Sequence, residues 1–239
     1  MAEAWKGENP SDVVETVDLL RFFSKLHARA YTNGYVKFVE TVPELWGAVF
    51  KKTDNPELSA KLRRWRRLIP GQSQRRFLRY VVGFKPDVLL CTYYLPLEAL
   101  RVVGDSGRAA RPFVVSVITD FEAHALWMAD GVDLYCVAAE HTRMRLLARG
   151  ADAGKTAVTG IPISGKFSLP MDACAVRRRM GLRDDLPVLL ILSGGFGMGP
   201  IDEIVTCADK VESECQIVVV TGRNAELRGR LALRDTKHP

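Results

Sequence analysis

Short apolar runs recur along this chain at the spacing of strands laid side by side. VLLCTYY (88–94), FVVSVIT (113–119), LYCV (134–137), VLLIL (188–192) and CQIVVVT (215–221) are too short for globular helices. They are also too uniformly apolar for strands with one wet face. Segments of helical periodicity fall between them at 72–82, 97–103, 141–149, 172–180 and 201–210. Strand and helix in alternation predict an α/β fold with a parallel sheet, not a sandwich or a bundle. Lys155–Val158 adds a short edge strand. Ser11–Leu20 alternates loosely and predicts a further strand ending at Asp18. Phe22–Val49 carries apolar residues at helical spacing, interrupted by Gly34 and Pro43.

The pattern divides the chain in three. Residues 1–164 make a first Rossmann-like domain. Residues 165–185 make a linker (Gly165–Met171) and a helix, Asp172–Met180, closed by Gly181. Residues 186–239 begin a second α/β domain with two strands, too few to bury a sheet of their own. Met1–Lys6 has the character of a helix tail standing directly before a strand. The expectation is therefore a chain truncated at both ends, lacking the first strand and its loop.

Composition narrows the class. No run of about 18 apolar residues occurs, and MAEAWKGENP lacks a signal-peptide layout. A cytoplasmic location is the default expectation. The five cysteines are scattered without CxxC spacing, so neither a zinc site nor a disulfide framework is expected. Cys91 and Cys136 lie in apolar runs and read as small buried hydrophobes. The net charge of +6 is concentrated. Leu58–Lys85 holds nine basic residues and no acidic one, among them Arg63, Arg64, Arg66 and Arg67, with Trp65, Leu68, Phe77, Leu78 and Tyr80 interleaved. Such a segment suits an anionic membrane surface, where each cation contributes about 1 kcal/mol. The plainer alternative is a solvated helix face with a few buried anchors. Nucleic acid is not an expected partner, because no groove-reading motif accompanies the charge.

Three strand ends carry candidate chemistry. Ser193-Gly194-Gly195-Phe196-Gly197-Met198-Gly199 follows a buried strand and precedes a helix. In that context glycines let backbone approach a phosphate, and the helix N-terminus presents unpaired N–H groups. The loop lacks the Lys-Ser/Thr of an NTP-hydrolysing P-loop; a tight structural turn is the competing reading. Thr119–Trp127 (TDFEAHALW) follows FVVSVIT, and there Asp120 and His124 could form an acid/base or substrate-orienting pair. A helix cap plus a half-buried histidine is the bland counterpart. At the next strand end Glu140 is a cap or first-turn residue and His141 is exposed. Thr221-Gly222-Arg223-Asn224 closes the last strand, and its N–H groups and Arg223 could face the same ligand as the glycine loop.

Together, VTGIPI (158–163), SGGFGMGP (193–200), VVVTGRN (218–224) and TDFEAHALW resemble the monogalactosyldiacylglycerol synthase and processive diacylglycerol glucosyltransferase family, as does LRFFSKLHARAYTNGYVKF (20–38). The resemblance implies the GT-B architecture, two Rossmann-like domains about a cleft. It implies transfer of a hexose from a UDP-sugar to diacylglycerol or a glycosylated diacylglycerol at a membrane surface, with no metal or other cofactor. Asp120, His124 and Trp127 match the acceptor-side motif, which puts Trp127 among the acceptor and membrane residues. Gly194, Gly195, Phe196 and Gly197 match the donor-phosphate loop, with Gly222, Arg223 and Asn224 beside it. Arg63, Arg64, Trp65, Arg66 and Arg67 gain a membrane-facing role. Ser164 stands where the family often has Arg, with Lys166 two places on. The family's glycine-rich loop with a histidine base, and its later donor segment, have no counterpart here, so this chain alone is expected to turn over little or nothing. A non-catalytic membrane-surface module that keeps the acceptor-side fold is the alternative.

Overall fold

A computed structural model describes residues 1–26, 28–30, 34, 45, 47, 51–54, 71–100, 111–195, 197 and 199–239. The chain forms two compact units, Met1–Ser164 and Gly165–Pro239.

The first unit holds a sheet of four strands in sequential order, β1 (Val88–Cys91), β2 (Phe113–Val117), β3 (Leu134–Val137) and β4 (Thr156–Val158). All neighbours are parallel, with Cys91 opposite Ser116 and Val117 opposite Cys136. The α/β expectation is met, and β4 lies at an edge of the sheet among the described residues. β2 lies inside the sheet and is buried from Val114 onward, which is why its sequence shows no alternation. Helices α1 (Ala2–Glu8), α2 (Gln72–Phe84), α3 (Tyr94–Leu100) and α4 (Glu140–Ala148) accompany it. Leu97, Ile118 and Leu146 are fully buried at its centre, each contributing about 1.5–3 kcal/mol. Cys91 is buried as expected, and burial pushes its thiol up to about 12.

α2 shows how the basic segment is used where it is described. Phe77 and Val81, four residues apart, are buried, while Arg75, Arg76 and Arg79 face water. Phe77 packs edge-on against Phe22 at 5.5 Å between ring centroids. Arg21 lies over the Tyr80 ring at 4.7 Å. These aromatics are therefore core anchors beneath a solvated basic face, not membrane anchors. Arg63, Arg64, Trp65, Arg66 and Arg67 lie outside the described residues. α2 stops where Lys85 turns left-handed (φ 51°) ahead of Pro86.

Ser11–Leu20 is not a strand. Its first part has no ladder partner among the described residues, and Asp18 caps a 3-10 turn, Leu19–Phe22, by accepting from the Leu20 N–H at 2.9 Å. Val13 is 83% exposed while Val17 and Leu19 pack on the core. Loose alternation without a neighbour to pair with does not make a sheet.

At the N-terminal end of the sheet Asp133 ties β2 to β3. It accepts two bonds from Arg111 (2.7 and 2.6 Å) and one from the Val114 N–H (2.8 Å). The Arg111 guanidinium, helped by that N–H, outweighs desolvation and holds the carboxyl below the usual range. A carboxyl lowered in the folded state contributes stability above its unfolded pKa, and that contribution is lost as pH falls through the folded value. The melting temperature of this unit should be flat from about pH 7 to 5 and fall below about pH 4. Asp133→Asn should flatten that acid limb in a pH series of thermal melts; an unchanged limb would exclude Asp133 as its source.

The second unit pairs β5 (Val188–Leu192) and β6 (Gln216–Val220) in parallel, with α5 (Ala173–Met180), α6 (Ile201–Ala208) and α7 (Ala225–Ala232). Ile191, Ile201, Val205, Ala208 and Leu227 form its core. α5 ends as expected at left-handed Gly181 (φ 70°); it starts one residue later than expected, with Asp172 as its cap rather than its first residue. It belongs to this unit because Arg177 donates to the carbonyls of Arg183 (2.7 Å) and Leu186 (2.8 Å). Gln216 on β6 in turn exchanges bonds with Arg183.

Candidate functional site

In open parallel sheets, ligands sit beyond the C-terminal ends of the strands. In the first unit that place is taken by the turn after β2. Asp120 and His124 both lie on it, but they hold different partners. Asp120 accepts from the Trp127 indole N–H at 3.0 Å. Trp127 is 3% exposed and packs edge-on against Tyr94. It is thus a core residue with its N–H satisfied, not a surface offered to a membrane.

His124 is 4% exposed. Its Nδ1 accepts from the Leu126 N–H at 3.1 Å, which puts the ring proton on Nε2. Nε2 faces Thr53 Oγ1 at 3.3 Å and Asp54 Oδ1 at 3.9 Å. Both ring nitrogens are spent on the fold, so the expected acid/base pair with Asp120 is not assembled. The short 3-10 turn that follows, Ala125–Trp127, is capped by His124 itself.

Sequence reasoning missed the group that organises this turn. Asp54 accepts from the Ala125 N–H (2.9 Å), from Arg149 (2.7 Å) and from Arg145 (3.2 Å). Arg149 also donates to the Asp54 carbonyl at 3.1 Å. Burial pushes the Asp54 carboxyl up, but the Arg149 and Ala125 bonds and the charges of Arg149 and His124 outweigh it, and the net shift is downward. One carboxylate therefore joins a residue in the KKTDNP stretch to the β2 turn and to α4. Outside it lies an exposed pair, His141 Nε2 to Glu122 Oε1 at 2.8 Å, with Arg145 against the other Glu122 oxygen at 2.8 Å. His141 is exposed and Glu140 is in the first turn of α4, as their positions predict.

In the second unit the residues singled out after β5 and β6 do come together. Arg223 N–H donates to Gly195 O at 2.9 Å, and Asn224 Nδ2 to Gly197 O at 3.3 Å. Asn224 also caps α7 through the Leu227 N–H at 2.9 Å. Two glycines make this approach possible. A Cβ on Gly222 (φ 58°) would stand 2.5 Å from Gly195 O and 2.7 Å from Gly194 O. One on Gly197 (φ 62°) would strike Thr221 O and lie 2.8 Å from the Asn224 Cβ. Gly195, by contrast, has open space about it. Phe196 lies outside the described residues. The Ser193 hydroxyl, where β5 ends, is buried with no hydrogen-bond partner among the described residues.

The helix end differs from the simple anion device. The first turn of α6 carries Asp202 and Glu203, with Asp202 matched by Arg230 at 2.8 Å. Carboxylates there oppose a bound anion, so anion binding would rest on loop amides and Arg223. Among the described residues no cluster of metal-ligating side chains occurs, and no helix is long and apolar enough to cross a membrane.

Residues 3–163 match the family profile of monogalactosyldiacylglycerol (MGDG) synthase. The chain is similar to a processive diacylglycerol beta-glucosyltransferase of Bacillus pumilus, 30% identical over 154 residues, covering 64% of this chain and 39% of the relative. A probable monogalactosyldiacylglycerol synthase 2, chloroplastic, of Oryza sativa is 33% identical over 165 residues, 63% of this chain and 34% of the relative. Monogalactosyldiacylglycerol synthase 1, chloroplastic, of Arabidopsis thaliana is 28% identical, covering 69% of this chain and 33% of the relative. The match thus spans less than half the length of these curated relatives. Among solved structures, the apo form of the lipopolysaccharide outer core galactosyltransferase WaaB aligns with a TM-score of 0.41 and 17% identity, covering 67% of this chain and 44% of that one.

Proposed function

The chain belongs to the monogalactosyldiacylglycerol synthase family, and from that premise we propose that it serves hexose transfer from a UDP-sugar to diacylglycerol or a glycosylated diacylglycerol. In this reading Met1–Ser164 is the acceptor and membrane side, and Gly165–Pro239 is part of the donor side of a GT-B enzyme. The observation that carries it is the interlock of the two strand-end loops, Gly194–Gly197 with Gly222–Asn224. It supports a cradle at the place where an open sheet takes a nucleotide.

The chemistry asked of that cradle is modest. The acceptor hydroxyl attacks the anomeric carbon and gives up its proton to a base or to solvent. The bond to the β-phosphate oxygen breaks, and its electron pair leaves as negative charge on the departing UDP. Backbone N–H groups and the Arg223 guanidinium suit that charge without a metal. On the acceptor side, Asp120 and His124 act as positioning residues. Asp120 holds Trp127, and His124 pins the turn to Thr53 and Asp54.

Calorimetry with UDP, paired with sugar transfer from UDP-glucose or UDP-galactose to diacylglycerol vesicles, tests the reading. UDP should bind, and Arg223→Ala should weaken it at least about tenfold with the melting curve unchanged. Transfer by this chain alone should be slight. Vesicle binding without any affinity for UDP would instead favour the non-catalytic membrane module.

A further inference from the structure

The stretch Gly165–Met180 carries exposed apolar side chains flanked in sequence by basic residues. Gly165–Ser168 is a single 3-10 turn, and α5 follows at Ala173. Phe167 is 81% exposed, Leu169 65% and Met171 67%, three apolar side chains at alternate positions. Met180, at the far end of α5, is half exposed. α5 buries none of its residues, and Arg178 and Arg179 face solvent. The stretch holds Lys166, Arg177, Arg178 and Arg179 against a single acid, Asp172. That acid is committed to the helix cap, accepting from the Cys174 and Ala175 N–H groups at 3.0 and 3.2 Å.

Clustered exposed apolar side chains mark a surface that something covers. The charge selects what covers it. Guanidinium groups beside aromatic and aliphatic side chains match a lipid interface, where the apolar groups reach the acyl boundary and the cations stay among anionic headgroups. We propose that Gly165–Met180 is a membrane-contact element for anionic bilayers, separate from the basic segment Leu58–Lys85. It does not depend on the transfer reaction.

The test uses the full chain and flotation with phosphatidylcholine vesicles, with and without phosphatidylglycerol. Phe167→Ser/Leu169→Ser/Met171→Ser should weaken partitioning to the anionic vesicles at least about tenfold. Because all three side chains are exposed, the melting curve should not move. Arg178→Gln/Arg179→Gln should cost about fivefold per arginine on anionic vesicles and nothing on neutral ones. In the Phe167→Trp variant, brominated lipid should quench fluorescence beyond its effect on the parent chain. Failure of the chain to partition would overturn the proposal. So would unchanged partitioning of the triple variant while Arg63→Ala/Arg64→Ala/Arg66→Ala/Arg67→Ala abolishes it, since the contact would then belong to the other segment. Concentration-dependent dimers that vanish in the triple variant, with flotation unaffected, would assign the patch to a second copy and equally overturn it.

Discussion

Asp54→Ala lowers the thermal midpoint of the first unit by about 6–12 °C, from a loss of about 3 kcal/mol. The size follows from what the carboxylate leaves behind. Arg149 is only 10% exposed in its side chain and would keep its charge with its main partner gone. The Ala125 N–H would lose its acceptor beside a buried 3-10 turn. Removing one partner of a buried pair costs far more than the pair itself contributes. Arg145, 38% exposed, adds little, because water screens it. Asp54→Asn separates the two losses: its amide oxygen still accepts from Ala125, while the charge facing Arg149 is gone, so its midpoint should fall between the other two. A circular-dichroism melt of Asp54→Ala within a degree of the parent would show that the β2 turn is held by something else.

This case also shows why half of the site could be read and half could not. Asp120, His124 and Trp127 were visible because they follow an apolar run directly, and a strand end is a local fact. Asp54 was not, because nothing in KKTDNP points to partners more than 70 residues on. The same limit explains Asp120 and His124 themselves. Their spacing allowed a pair, but their partners are chosen by packing, an indole for one and a threonine and an aspartate for the other. β2 was legible because burial on both faces writes itself into an uninterrupted apolar run. β1 and β5 carry the same kind of run and are strands, but each buries only one residue. Leu90, Leu189, Leu190 and Leu192 are exposed, so the expectation of burial is not met there. Ser11–Leu20 misled because alternation records which residues are covered, and Val17 and Leu19 are covered by packing on the core without the segment joining a sheet. Trp127, placed on the acceptor side by its motif, is buried, and its polar neighbour Asp120 is what allows that.

The glycines of the second unit can be sorted by the same physical test, with the second large effect expected there. Gly222→Ala should lower the midpoint of that unit by about 8 °C or more. Left-handed backbone costs an alanine about 1–2 kcal/mol. Overpacking against two carbonyls of the facing loop adds about 1–3 kcal/mol, because backbone cannot swing aside as a side chain can. In a unit of this size each kcal/mol moves the midpoint about 4–8 °C. Gly197→Ala should behave alike, meeting Thr221 O and Asn224. Gly194→Ala, at φ 68° with nothing near its Cβ, should lose only the backbone term. Gly195→Ala has neither a left-handed φ nor a neighbour, so the fold should not register it. A loop that exists only to turn the chain would leave Gly195→Ala silent in every assay. A loop shaped for phosphate would lose UDP affinity at least about tenfold in Gly195→Ala while melting like the parent, since the new methyl would occupy space that only a ligand needs. Differential scanning calorimetry with and without UDP reads both quantities on one sample. Equal UDP affinity in the parent and Gly195→Ala would leave the interlock as a structural feature alone.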